Sequence, residues 1–319
     1  MRRQNGEMRM SDTARRLFLA TRPMFFPASA VPVVVGTTWG VSTEQPLDVS
    51  VFLAALLGML CLHAGANVIN DIGDEINGCD RLNEERISPF TGGSRFLQEG
   101  GLRIASMTML GIALLIGAAA VGLTLAAAKG WMVLALGFIG AVLGITYSLP
   151  PFSLAGRGLG EAAVAVAFGL PVAACSWLQQ GEFSINGVLA ASAVGCWTAA
   201  ILIANEVPDR RADAMAGKRT LVVRLGIPGS LRLYQGVHAV ALLFQIALFT
   251  NAGLPVWTTL VPATLAVIAI AVAPKLTGPR DSVLTVIRMT LAVHLIGGLW
   301  LSIAGMLATS TAPVSPGFI

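Results

Sequence analysis

At 319 residues the chain is 55% hydrophobic and only 12% charged, with a mean hydropathy of +0.74. Charge at about half the level of soluble domains excludes an ordinary water-soluble fold. The net charge of +4 is too small to specify a nucleic-acid partner, and the four cysteines contain no CxxC pair that would suggest a disulfide framework or a thiolate metal site.

Residues 1–22 read as a basic, polar tail, with Arg2, Arg3, Arg9, Arg15, Arg16 and Arg22. Ser11 is placed to cap a short amphipathic helix at the membrane surface. The prolines after Arg22 and the lack of a clean small-residue cleavage site disfavour a signal peptide.

Nine apolar segments follow, at Pro23–Val41, Val51–Asn70, Ile104–Ala127, Trp131–Leu149, Glu161–Leu178, Gly187–Asn205, Leu233–Ala252, Pro255–Ala273 and Ile287–Leu307. Each approaches the roughly 20 residues a helix needs to cross hydrocarbon, and none shows the alternation of a membrane β-barrel. The expectation is an all-α, polytopic membrane protein: nine transmembrane helices in one bundle over residues 23–308, with a short outer tail at 309–319. Small residues within the segments suit close helix packing in lipid.

Charge placement tests this topology. With the N-terminus cytoplasmic, the tail and the even-numbered connections hold every one of the 21 Lys and Arg except Lys129. Two inner connections are long, 71–103 and 206–232. Together they hold ten of the 17 acidic residues, so acidic and basic groups converge on one membrane face.

Both connections begin with acidic motifs, NVINDIGDEINGCD from Asn67 and NEVPDRRADAMAGKRTL from Asn205. On a continuing helix Asn67, Asp71 and Asp74 fall at i, i+4 and i+7, and Asn205, Asp209 and Asp213 at i, i+4 and i+8. Each set therefore shares one face. Like charges this close repel unless a cation fills the site, and carboxylates at the end of an apolar segment are costly and usually functional. Hard carboxylate and amide oxygens suit Mg²⁺, which takes further ligands from phosphates, so the two sets facing each other are expected to hold two or three ions around a diphosphate. Arg81, Arg86, Arg95, Lys218 and Arg219 flank the motifs and suit phosphate oxygens, and the Gly92-Gly93-Ser94 turn offers backbone amides to an anion. Isolated Glu84, Glu85, Glu99 and Asp281 read as solvated charges. His63, His238 and His294 read as packing or interhelical hydrogen-bonding groups.

These residues resemble the UbiA superfamily of intramembrane aromatic prenyltransferases over nearly the full length. Supporting stretches are RPMFFPASAVPVVVGT at the first segment and YSLPPFSLAGRGLGEAAVAVAFG at the fourth connection. Asn70, Asp71, Asp74, Gly78 and Asp80, with GLGE at 158–161 and AGKRTL at 216–221, are most similar to the 1,4-dihydroxy-2-naphthoate, or menaquinone, branch. Two positions depart from that branch. Tyr147 is followed by Ser-Leu-Pro-Pro where a Lys is often found, and Pro208 stands where an Arg is common.

The resemblance implies Mg²⁺-dependent transfer of a polyprenyl group from its diphosphate to an aromatic acceptor. The expected acceptor is the naphthoate, with 4-hydroxybenzoate or homogentisate as alternatives. Asp71, Asp74, Asp209 and Asp213 would carry the metal, assisted by Asn67, Asn70 and Asn205. Arg22, Arg81, Arg86 and Lys218 would neutralise the diphosphate, and Tyr147 or Trp197 would face the allylic cation. The expected partners are those two substrates and the bilayer, with no obligate protein partner, and the site would face the cytoplasm from the cell membrane. A secondary transporter is the rival from another class. It would place its ionisable groups near the midplane, within inverted repeats. A phosphatidyl-type transferase would carry one compact acidic motif.

Overall fold

The computed structural model describes residues 12–311, which are mostly helical, with one long non-helical connection over 83–103, and among those described contain no strand. Ser11 and residues 312–319 lie outside the described residues. A helix over 12–20, α1, meets α2 (Phe26–Gly40) through Arg22 and a 3₁₀ turn at Pro23–Phe25. Then come α3 (Val49–Asn77), the single-turn α4 (Cys79–Leu82), α5 (Ile104–Lys129), α6 (Met132–Ser148), α7 (Gly160–Gln180), α8 (Ile185–Met215), α9 (Leu221–Asn251), α10 (Leu260–Val272) and α11 (Arg280–Thr311).

Eight of the described helical segments are long and apolar enough to cross a membrane, and α6, at 17 residues or fewer, is an apolar helix below that length. The segment expected at Trp131–Leu149 is thus present as the shorter α6. The outward sides of α5 and α6 expose Met109, Ile116 and Phe138, as hydrocarbon-facing helices do.

Local chemistry sets the helix ends. Asp48, Ser184 and Thr220 accept backbone N–H bonds at the starts of α3, α8 and α9. Gly78, at φ 76°, turns the chain out of α3 in the left-handed conformation that suits glycine. The tail helix packs more closely than a free surface helix would. Ala20 is buried with Val68, Ile72, Leu102 and Met107, and Arg16 Nη1 donates to the Gly101 carbonyl at 3.2 Å.

The second inner connection is not the long loop expected at 206–232. Helix α8 continues to Met215 and α9 begins at Leu221, with a kink at Gly226, so only 216–220 are non-helical. Polar residues there continue α8 without ending it, and Glu206 and Asp213 among them are buried.

The main core joins α2, α7, α8, α9, α10 and α11, and α8 is its most buried member. Backbones touch where side chains are absent. A Cβ on Gly169 would lie 2.8 Å from the Ala191 carbonyl oxygen, and Gly195 meets the Ala165 carbonyl from the other side. This close contact of α7 with α8 fixes where the end of α8 stands relative to α3.

Candidate active site

The ends of α3 and α8 meet at a cavity of about 260 Å³, closed over by the 78–103 connection and by residues 216–220. Both helices run through their acidic motifs, so the expected shared faces form. Asp71, Asp74 and Asp213 are only 2%, 8% and 5% exposed. Lys218 joins the two motifs. Its ammonium pairs with Asp74 of α3 and lies 3.4 Å from Asp213 of α8. Burial works against that charge, but the two carboxylates outweigh it and hold Lys218 well above the usual lysine pKa.

Each carboxylate is also held by neighbours from elsewhere in the chain. Asp71 accepts from the Arg22 guanidinium and from the Ser94 backbone N–H at 3.1 Å. Asp74 accepts from Asn70 Nδ2 at 3.2 Å. Asp209 accepts from Asn83 Nδ2 at 2.7 Å and from the Gly92 N–H at 3.2 Å. Asp213 accepts from the Cys79 thiol at 2.9 Å, and burial pushes that thiol's pKa far up, so it remains a donor. Arg22 and Arg95 both sit in the left-handed region at φ 54° and 67°, uncommon for non-glycine residues. Their side chains tie down this same segment, Arg22 at Asp71 and Arg95 at the Asp80 and Asn83 carbonyls.

The Gly92-Gly93-Ser94 amides were expected to bind an external anion. In this structure the Gly92 and Ser94 amides donate to the protein's own carboxylates, at Asp209 and Asp71. Gly93, at φ 69°, lies so close that a Cβ would strike Asp80 Oδ2 and approach Asp71 Oδ1 at 3.3 Å. Gly93→Ala should therefore lower kcat by roughly tenfold or more by displacing these carboxylates, since small misplacements at a reacting centre are costly. Steady-state rates beside a thermal melt would separate displacement from unfolding.

Of the remaining expected residues, Asn67, Asn70, Asn205, Arg22 and Tyr147 line the cavity, as do Asp74, Asp209, Asp213 and Lys218. Asp71 lies behind Arg22 and off the wall. Arg81 and Arg86 are elsewhere: Arg81 is exposed and paired with Glu75, and Arg86 lies 3.8 Å from Glu99. Their own helix turn and loop supply acidic partners nearer than the cavity. Trp197 is core, 2% exposed and edge-on to His294.

Sequence reasoning missed Glu206, Asn83, Cys79 and His63 on the wall, and did not place Asp80 there. Asp80 and Glu206 had a signal, since each adjoins or belongs to an acidic motif. Asp80 is 2% exposed, and burial, reinforced by Asp74, raises its pKa to about 7 against the pull of Arg22.

The donor set fits a hydrated hard cation. Asp74, Asp80, Glu206, Asp209 and Asp213 line the cavity against only Arg22 and Lys218. Asn205 Oδ1 and Asn83 Oδ1 are buried with no hydrogen-bond partner, and Asn67, which donates its Nδ2 to the Thr21 carbonyl at 3.1 Å, keeps its oxygen free of that bond. Among the described residues no three His, Cys, Asp or Glu side chains form a closed metal cage. Mg²⁺ suits such a site because it keeps waters and takes ligand phosphates rather than demanding an all-protein shell.

A model of the UbiA prenyltransferase family matches residues 29–293. A 1,4-dihydroxy-2-naphthoate octaprenyltransferase of Mycobacterium tuberculosis is 35% identical over 90% of this chain and 94% of its own length. A 2-carboxy-1,4-naphthoquinone phytyltransferase of Synechocystis is 30% identical over 79% and 80%. Among solved structures, a UbiA homologue from Archaeoglobus fulgidus bound to GPP and Mg²⁺ superimposes with a TM-score of 0.62 over 92% of this chain and 99% of its own, at 18% identity.

Proposed function

The chain belongs to the UbiA prenyltransferase family, and we propose that this membrane-embedded prenyltransferase moves a polyprenyl group from its diphosphate to 1,4-dihydroxy-2-naphthoate, a step of menaquinone biosynthesis. One observation carries the reading: two acidic helix ends, far apart in sequence, converge on one cavity with a lysine between them. The naphthoate is supported by the named activity of the Mycobacterium tuberculosis relative and by Asp80 following Gly78 in the first motif. The basic connections support a reading in which the acidic end of the bundle faces the cytoplasm from the cell membrane, with α6 as a ninth crossing.

In this reading Asn67, Asn70, Asp74, Asn205, Asp209 and Asp213, with Asp71 beside them under Arg22, would hold Mg²⁺. Bound Mg²⁺ supplies Lewis-acid neutralisation of the diphosphate charge. Arg22 and Lys218 neutralise the rest as the allylic C–O bond breaks. Arg81 and Arg86 fall outside this set because Glu75 and Glu99 hold them away. Tyr147 and Phe25 present aromatic faces to the allylic cation, and Leu143, Val164 and Ile201 keep water from it. A second, apolar cavity of about 560 Å³ between α3, α5, α6 and α7 shares Ala167 with the first and suits the isoprenoid tail.

Purified protein, one polyprenyl diphosphate and a panel of the naphthoate, 4-hydroxybenzoate and homogentisate test the reading. Naphthoate prenylation that stops with EDTA is expected. Product from 4-hydroxybenzoate alone would move the protein to another branch. Stoichiometric uptake into proteoliposomes without product would make it a transporter.

A further inference from the structure

His63 and Thr198 are polar side chains on the deeper, mostly apolar part of the cavity wall, and the Thr198 hydroxyl is spent on the Val194 carbonyl of its own helix. His63 precedes Asp71 by eight residues, about 12 Å deeper along α3 at 1.5 Å per residue. Its imidazole stands where three helices meet. Nδ1 is hydrogen-bonded to the hydroxyl of Ser29 on α2, a residue with no exposed surface. The ring meets Phe168 of α7 edge-on, with centroids 5.1 Å apart. His238 and His294 are buried outside the cavity, and neither ring is hydrogen-bonded to another side chain. His63 differs from them in being clamped at one nitrogen and lining the cavity.

We propose that His63 reads a ring hydroxyl of the aromatic acceptor through Nε2, with Ser29 fixing the orientation of the imidazole. This rests on the aromatic-acceptor reading and adds a specificity residue to it. When Nδ1 accepts from Ser29, Nε2–H is the donor left for the cavity; in the opposite tautomer Nε2 is the acceptor. A phenolic hydroxyl serves either case. A prenyl tail would serve neither, because hydrocarbon offers the ring nitrogen no hydrogen-bond partner. Phe168 and Tyr147 also line this cavity and offer flat faces for an aromatic ring.

The test uses the full chain in detergent with Mg²⁺ and prenyl diphosphate, on whichever aromatic acceptor the wild type turns over. His63→Leu should raise KM for that acceptor about tenfold or more, as loss of a buried hydrogen bond does, with little change in KM for the diphosphate. His63→Gln should recover most of the loss, and Ser29→Ala should give a smaller rise. Competitive inhibition by naphthoates each lacking one hydroxyl supplies the specific readout. The analogue without the contacted hydroxyl should bind wild type and His63→Leu equally, while the other should lose affinity for the variant. Equal losses for both analogues, an unchanged acceptor KM, or a raised diphosphate KM would each overturn the assignment. Aromatic turnover with an unchanged His63→Leu protein sinks His63 alone, whereas no aromatic turnover by wild type sinks the proposed function as well.

Discussion

Asp209→Ala should remove turnover, by roughly a thousandfold in kcat/KM, as loss of a group that stabilises transition-state charge does. The carboxylate lies on the cavity wall, with Asn83 Nδ2 and the Gly92 amide directed at its two oxygens. Alanine removes an oxygen ligand and also frees both donors, so loop displacement accompanies the loss of charge. Asp209→Asn separates the two effects. It keeps the volume and can still accept from one donor, but it sets its own NH₂ against the other, at a cost of about 1–3 kcal/mol for an unsatisfied group. The asparagine variant should therefore fold, lose turnover, and lose the Mg²⁺-dependent rise in thermal midpoint expected of wild type. Full activity in Asp209→Ala would remove this residue from the metal set, and the same test applies to Asp71→Ala.

The second large effect is expected at Lys218. Its ammonium lies between Asp74 and Asp213 with a side chain 16% exposed, and it links α3 to α8, its bond to Asp74 spanning 144 residues of sequence. Lys218→Met leaves two buried carboxylates facing each other without the cation, and breaking a buried pair in this way costs about 3–5 kcal/mol. The thermal midpoint in EDTA should fall accordingly. Millimolar Mg²⁺ should restore much of it, because a ligand bound only by the folded state stabilises by about 2.7 kcal/mol at a hundred times its Kd. Turnover should stay low even with Mg²⁺, since the metal replaces the charge between the helices but not the ammonium at the diphosphate. A Lys218→Met protein as stable as wild type in EDTA would contradict the bridging role.

The helix-borne part of this protein could be read without its structure. Composition sets the membrane class. The 3.6-residue period places Asn67, Asp71 and Asp74 on one face of α3, and Asn205, Asp209 and Asp213 on one face of α8. These relations need only local backbone geometry, so they survive whatever the helices pack against. The family motifs are legible for the same reason, being runs of neighbouring residues.

Facing relations between segments were decided by packing. Which way the shared face of α3 points depends on its own close contacts, such as Gly73 with Ser148 of α6, while Gly169 with Ala191 sets α7 against α8, and together these place the helices around one cavity. Only then does Lys218 fall between the motifs, Cys79 meet Asp213, and the Gly92 and Ser94 amides donate to aspartates. The same geometry leaves Arg81 and Arg86 with nearby glutamates, buries Trp197 in the core, and brings His63 to the cavity wall on a hydrogen bond from another helix. Sequence periodicity records which residues share a helix face. The partner of that face is set by the close approach of helices distant along the chain, a long-range property that no single stretch encodes.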